Sequence, residues 1–204
     1  MKKSLIITIA IVAVVLLLCA GGCSSYNGMV EKEQIVEQTW AQVENQYQRR
    51  ADLIPNLVNT VKGYASHESE TLQSVTDARA GLTQAYNDAN AVSSADAVKS
   101  QDALNSYQQA QSALKGALDI YVNAVREAYP DLKANANFQD LQTQLEGTEN
   151  RISTERQRYT EAVKEYNTKI KKFPGNIFAG IFGFEAKPQF KADEGASKAP
   201  IVEF

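Results

Sequence analysis

Thiol chemistry is nearly absent from this chain. Its two cysteines, Cys19 and Cys23, fall in or beside an apolar N-terminal stretch, so nothing downstream can form a disulfide or a thiolate metal site. Histidine is as scarce: His67 stands alone, which narrows both the catalytic and the metal-ligand menu. There is no Gly-x-Ser-x-Gly elbow, and Gly175, Gly180 and Gly183 are scattered among aromatics rather than forming a phosphate-binding loop. No excess of positive charge exists either. The net charge of −3 and pI near 5.3 give no global basic field for nucleic acid or anionic lipid, so nucleic acid is not an expected partner. Internal repeats and Gly/Ser linkers are also missing. At 204 residues and 44% hydrophobic content, the chain fits one domain with an anchor and a tail.

What is present begins with Lys2 and Lys3, followed by an apolar run from Leu5 to Leu18 broken only by Thr8. Helical to Gly22, it would span about 27 Å, close to the hydrocarbon core of a bilayer. Two fates stay open. As a retained transmembrane helix it leaves the lysines in the cytoplasm and everything after Tyr26 outside. As a signal peptide it makes Cys23 a lipidation candidate, since Ala20-Gly21-Gly22-Cys23-Ser24-Ser25 resembles a bacterial lipobox with Ala20 where a large aliphatic residue is usual. Both place a tethered domain outside the bacterial cell membrane.

Downstream, apolar residues recur in steps of three and four, the helical period. Met29 to Leu53 reads as one amphipathic helix and Pro55 to Tyr86 as a second, separated by Pro55, which lacks an N–H and breaks helices. Asp52 is placed to cap the new N-terminus. The chain is therefore expected to reverse between Arg49 and Asn56. A polar loop over 87–94 precedes a third helix from Leu104 to Ala128; a connection from Tyr129 to Asn137 precedes a fourth, Phe138 to Ile170. Helices of similar length with short connections predict an all-α, antiparallel up-and-down four-helix bundle. The layout is an anchor or lipoprotein signal at 1–25, the bundle at 26–174, and at 175–204 an apolar Gly/Phe segment with a flexible tail.

Several blocks resemble the LemA family: Tyr26-Asn27 after the apolar segment, Gln48-Arg49-Arg50-Ala51-Asp52-Leu53-Ile54-Pro55-Asn56-Leu57-Val58, Thr60-Val61-Lys62-Gly63-Tyr64-Ala65 with His67-Glu68, Ala78-Arg79, Tyr129-Pro130-Asp131-Leu132-Lys133-Ala134, Thr148-Glu149-Asn150-Arg151-Ile152, and Phe173-Pro174. The resemblance runs from Tyr26 to about Phe184. It implies a membrane-tethered, extracytoplasmic helical protein of bacterial type and no agreed reaction. Members are associated with membrane proteases and, in magnetic bacteria, with magnetosome membranes. The Gly-Gly-Cys junction departs from members that simply continue from a membrane span.

The helix seams carry charges. Stepping along the fourth helix gives Leu145, Glu149, Ile152, Arg156, Tyr159 and Val163; the second passes through Glu68 and Arg79, and the first arrives at Arg50. Arg50, Asp52, Asn56, Glu68, Arg79, Glu149 and Arg156 are the candidate polar network. Its favoured role is structural, fixing helix register through paired charges, with Glu149 and Arg156 both largely buried. The competing role is a site for a ligand or proton. A dinuclear metal site is disfavoured, because Glu149 is followed three on by Ile152 rather than His. No catalytic residue, cofactor or metal is expected.

The segment Ile177 to Phe184 is strongly apolar, either a plug over the bundle's open end or an interfacial foot. Lys187 to Phe204 reads as polar, Pro-punctuated disorder. The expected function is a non-enzymatic, membrane-tethered extracytoplasmic scaffold binding another envelope protein or itself. The alternative is a small-ligand or metal sensor using the charged seam.

Overall fold

The computed structural model describes residues 2–65 and 73–191, apart from the side chains of residues 2–5, 10, 14, 15 and 17–19. Within them the chain is all-α. Helix α1 runs Lys2–Ala65, α2 Gln73–Ala91, the single turn α3 Ser94–Ala97, α4 Gln101–Ala128, α5 Ala136–Lys171 and α6 Gly175–Phe182. A 3-10 turn, Pro130–Ala134, links α4 to α5. Helices α4 and α5 each open on a side-chain cap. Ser100 accepts the Ala103 N–H at 3.1 Å and Asn135 that of Phe138 at 3.2 Å, satisfying N–H groups that have no intrahelical acceptor.

The long helices pack antiparallel, α1 chiefly on α5 and α2 on α4. The register of the first pair follows from its ion pairs. Lys32 meets Glu165 at 2.7 Å and Arg50 meets Glu149 at 3.1 Å, so advancing along α1 means retreating along α5.

The reversal expected between Arg49 and Asn56 does not occur. Helix α1 continues through Pro55, which lies on its exposed face, as far as Ala65. Asp52 is accordingly no N-cap; it is exposed and accepts a hydrogen bond from Gln48 Nε2 at 2.8 Å. The physical reason is phase. Buried positions run Trp40, Val43, Tyr47, Arg50, Ile54, Leu57 and Val61 in alternating threes and fours, with no shift at the proline. A helix-interior proline costs about 3 kcal/mol. Burying Ile54, Leu57 and Val61 returns about 1.5–3 kcal/mol each, so the stripe wins.

Two hydrophobic cores stack along the bundle. The near core joins Met29 to Tyr47, Leu104, Tyr107 and Ile152 to Ile170; the far core joins Leu53 to Val61, Val75 to Ala89, Leu114 to Val125, Leu132, Phe138 and Leu145. Arg50, Gln111 and Thr148, all buried, lie at the junction in sequence register.

Among the described residues no helix is long and apolar enough to cross a membrane. Much of the expected anchor within 1–25 consists of side chains outside that description. Cys23, the lipidation candidate, is an exposed free thiol on unbroken α1.

The tail departs from expectation. After α6 the chain turns at Gly183, whose φ of 76° suits a residue without Cβ. Residues 184–191 then run along the bundle without regular secondary structure, their carbonyls bonded to α5 and α4. Disorder was expected from Lys187 onward, yet 187–191 are held by hydrogen bonds to α4 and α5. Residues 192–204 lie outside the described ones. Polar composition misled because main-chain groups, not side chains, make most of these bonds.

Candidate functional site

Helices α4 and α5 border a groove, and its two halves are filled differently. In the near half lies the strap of residues 185–191. Asn167 pairs both edges of its amide with one residue of the strap, donating to the Lys187 carbonyl and accepting the Lys187 N–H, each at 2.9 Å. Two residues on, Gln101 repeats the pattern from α4, donating to the Gln189 carbonyl at 2.9 Å and accepting its N–H at 3.2 Å. Tyr166 and Tyr159 donate to the carbonyls of Glu185 and Pro188, and Gln108 to that of Lys191. The groove thus recognises polypeptide main chain through helix side chains, which is how an extended segment is held irrespective of its sequence.

One strap side chain is also gripped. The Phe190 ring stacks on Trp40 at 6.0 Å, meets Tyr159 edge-on at 5.5 Å, and carries the Arg156 guanidinium over its face at 4.5 Å. Burial pushes the hydroxyls of Tyr159 and Tyr107 well above their ordinary range and that of Tyr166 up to about 12.

At the junction with the far half stands Arg50. Its side chain is 2% exposed. Nη1 donates to Glu149 Oε2 at 3.1 Å, while Nη2 donates to the Gln111 carbonyl at 3.0 Å and to Gln111 Oε1 at 2.5 Å. Its guanidinium also sits 5.2 Å from the Tyr47 ring centroid. One arginine therefore ties α1 to α4 and α5 together, the arrangement that fixes register. Arg50 Nε has no hydrogen-bond partner among the described residues.

Of the other candidate network residues among the described ones, only Glu149 joins it. The buried stripe of α5 shares Leu145, Ile152, Tyr159 and Val163 with the expected path but takes Thr148 in place of Glu149 and does not include Arg156. Glu149 is consequently flanking, with 34% of its side chain exposed, and Arg156 is likewise half-buried rather than buried. Asn56 and Arg79 are exposed with Asp52, and Glu68 lies outside the described residues. Gln111, Gln101, Gln108 and Asn167 went unrecognised in the sequence. A signal existed for Gln111 and Asn167: each is a polar residue at a seam step, between Tyr107 and Leu114 and between Val163 and Ile170.

The far half is open. A hollow of about 270 Å3 borders Tyr47, Arg50, Gln111, Glu149 and Arg156. It shares Lys115 and Asn150 with a larger one of about 560 Å3 whose walls include Leu118, Val122, Leu145 and Arg126. Among the described residues no cluster of His, Cys, Asp and Glu could hold a metal ion.

A model of the LemA family matches residues 39–204. Two magnetosome proteins of Paramagnetospirillum magneticum, MamQ 1 and MamQ 2, are each 27% identical to the chain over 186 residues, covering 87% of it and 68% of their own length. Magnetosome protein MamQ of Magnetospirillum gryphiswaldense is 25% identical over the same extent.

Proposed function

Since the chain belongs to the LemA family, we propose that it is a membrane-tethered, extracytoplasmic scaffold, an up-and-down four-helix bundle that acts by binding rather than by chemistry. The observation that carries this reading is the α4–α5 groove. Its near half already holds polypeptide backbone, and its far half offers Leu118, Val122 and Leu145 between charged walls. The seam charges support a structural role for Arg50, whose two terminal nitrogens are engaged by Glu149 and Gln111. The partner is a second envelope protein or a second copy. Tethering is supported by Lys2 and Lys3 ahead of the apolar run and by the chain's likeness to proteins named as magnetosome proteins. The tether is either a retained segment or a lipid on Cys23. Cys23→Ser tests this: a lipidated chain would lose fatty-acid labelling and accumulate as precursor, whereas a retained helix keeps its size and stays with membranes.

A photo-crosslinking residue at Val122, in intact bacterial envelopes, tests the groove. A discrete protein adduct at 122 and none at Ile120, which is exposed on α4 outside the groove, is the expected result. Equal or absent crosslinking at the two positions counts against it. The hollow beside Glu149 and Arg156 favours a second reading, a small-ligand or metal sensor. A melting temperature raised by Zn2+, Mn2+ or acetate, and not in Glu149→Gln, would support that reading instead.

A further inference from the structure

We propose that α6 is a membrane foot, with the outward face of Gly175–Phe182 lying in the interfacial layer of the bilayer that the N-terminal apolar run enters. This rests on the tethered reading above. Apart from Ile120, the large apolar side chains exposed among the described residues fall in two places: the start of α1, from Ile6 to Leu16, and this corner of the bundle. Phe173 is 81% exposed, Ile181 68% and Ile177 51%. Ile177 and Ile181 are four apart and share a face. The opposite side already closes the near core, through Ala179 and Phe178. A plug accounts for that inward side and leaves the outward isoleucines without a role.

Height along α1 decides what covers them. The Phe178 ring packs so close to Gly22 that a Cβ there would come within 3.1 Å of it. Tyr26 meets Phe182 edge-on at 5.0 Å and Phe184 at 5.6 Å. Gly22 and Tyr26 follow the end of the apolar run at Leu18 by roughly 6 and 12 Å at the helical rise. A short apolar helix at that height meets the headgroup and acyl boundary, where such helices sink by about 5–10 Å. Aromatic residues favour the same layer. Lys169, Lys171 and Lys172 end α5 beside it, with Glu185 the neighbouring carboxylate, so the local charge suits lipid phosphates. With α1 as one leg and α6 as a second, rotation about the α1 axis is blocked and the α4–α5 groove keeps a fixed orientation to the membrane.

The test uses the full chain with Trp40→Phe, which removes its one tryptophan. Ile181→Trp, and separately Ile177→Trp, report on the foot, and Ile120→Trp is the control. Each is reconstituted into phosphatidylcholine and phosphatidylglycerol vesicles with or without brominated acyl chains, and flotation scores tethering independently. Fluorescence at 181 and 177 at least about twofold weaker in brominated vesicles, and unchanged at 120, is the expected result. Flotation without quenching at 181 and 177 overturns the foot and leaves the tether standing. Failure to float overturns the tether, and the foot with it. Shielding of 181 from bromine that grows with the protein-to-lipid ratio also overturns the foot, because a second copy would then cover the patch.

Discussion

The near and far halves of the bundle are built on the same alternation of threes and fours, yet they solve the polar problem differently. The near core is aromatic, with Trp40, Tyr47, Tyr107, Tyr159 and Tyr166, and the hydroxyls of Tyr159 and Tyr166 are satisfied by carbonyls of the strap. The far core is mainly aliphatic, and the Tyr129 hydroxyl is buried there without a hydrogen-bond partner. A buried donor left unpaired costs about 1–3 kcal/mol. The near groove is closed by a segment that carries acceptors for Tyr159 and Tyr166, though Trp40 Nε1 is buried there without a partner among the described residues, while the far groove holds an open hollow. Arg50 marks the boundary.

Alkali should break this contrast most severely. Folded-state burial raises the Tyr166 and Tyr121 hydroxyls from 10.0 to about 12, and Tyr107 and Tyr159 further. The neutral forms belong to the folded state, so their contribution is complete below pH 10 and is lost as pH rises from 10 through about 12. With Tyr107, Tyr159 and Tyr166 in the near half, the strap should become protease-sensitive before far-half helicity declines, followed by phenolate absorbance and circular dichroism. Phenolates appearing near their ordinary value with helicity intact would show a water-open near core.

Removing the boundary comes next. Arg50→Ala should destabilise by about 4 kcal/mol, since it leaves a void between the cores and unpairs Glu149 and Gln111, whereas Arg50→Met should lose clearly less. Denaturant unfolding of the full chain in detergent measures both. Pro55→Ala should move in the other direction, gaining about 2 kcal/mol by restoring a hydrogen bond on an exposed helix face. A loss there would mean that the helix does not run through Pro55. Asn167→Ala deletes both bonds to Lys187 and should cost about 1.5 kcal/mol while exposing 187–191 to proteolysis, sharpening the near half's dependence on its strap. Smallest is Glu149→Ala, at about 1 kcal/mol, because Arg50 Nη1, left without its carboxylate, borders the hollow and takes water there, while Nη2 keeps both bonds to Gln111. Glu149→Gln should cost less still. A loss near that of Arg50→Ala would place Glu149 inside the core after all.

Much of this was legible from residue pattern. The helical character, the two long helices on either side of Pro130, the turn around it and the reading of Arg50 as a seam charge all follow from periodicity and breaker residues, whereas the expected loop over 87–94 is helical as far as Ala91. Pro55 misled because a local rule was set above a phase that continues from Tyr47 to Val61. Glu149 and Arg156 fit the stripe by sequence because steps of four then three, and three then four, are both helical; Thr148 sits on the true seam and looks less apolar than its burial. The strap left no apolar period, since Asn167 and Gln101 bind its backbone.

Composition and period by themselves determined that this chain is helical, that its apolar stripes demand partners, and that an apolar run precedes the helical body. Those properties depend on each residue's own side chain and its neighbours three and four away. Which helix receives Arg50, where the chain turns back, and that 185–191 closes one half of a groove and not the other were decided only by the tertiary structure. Each depends on groups far apart in sequence, brought together by burial, and a one-residue rotation of a helix is enough to exchange a core position for a flank.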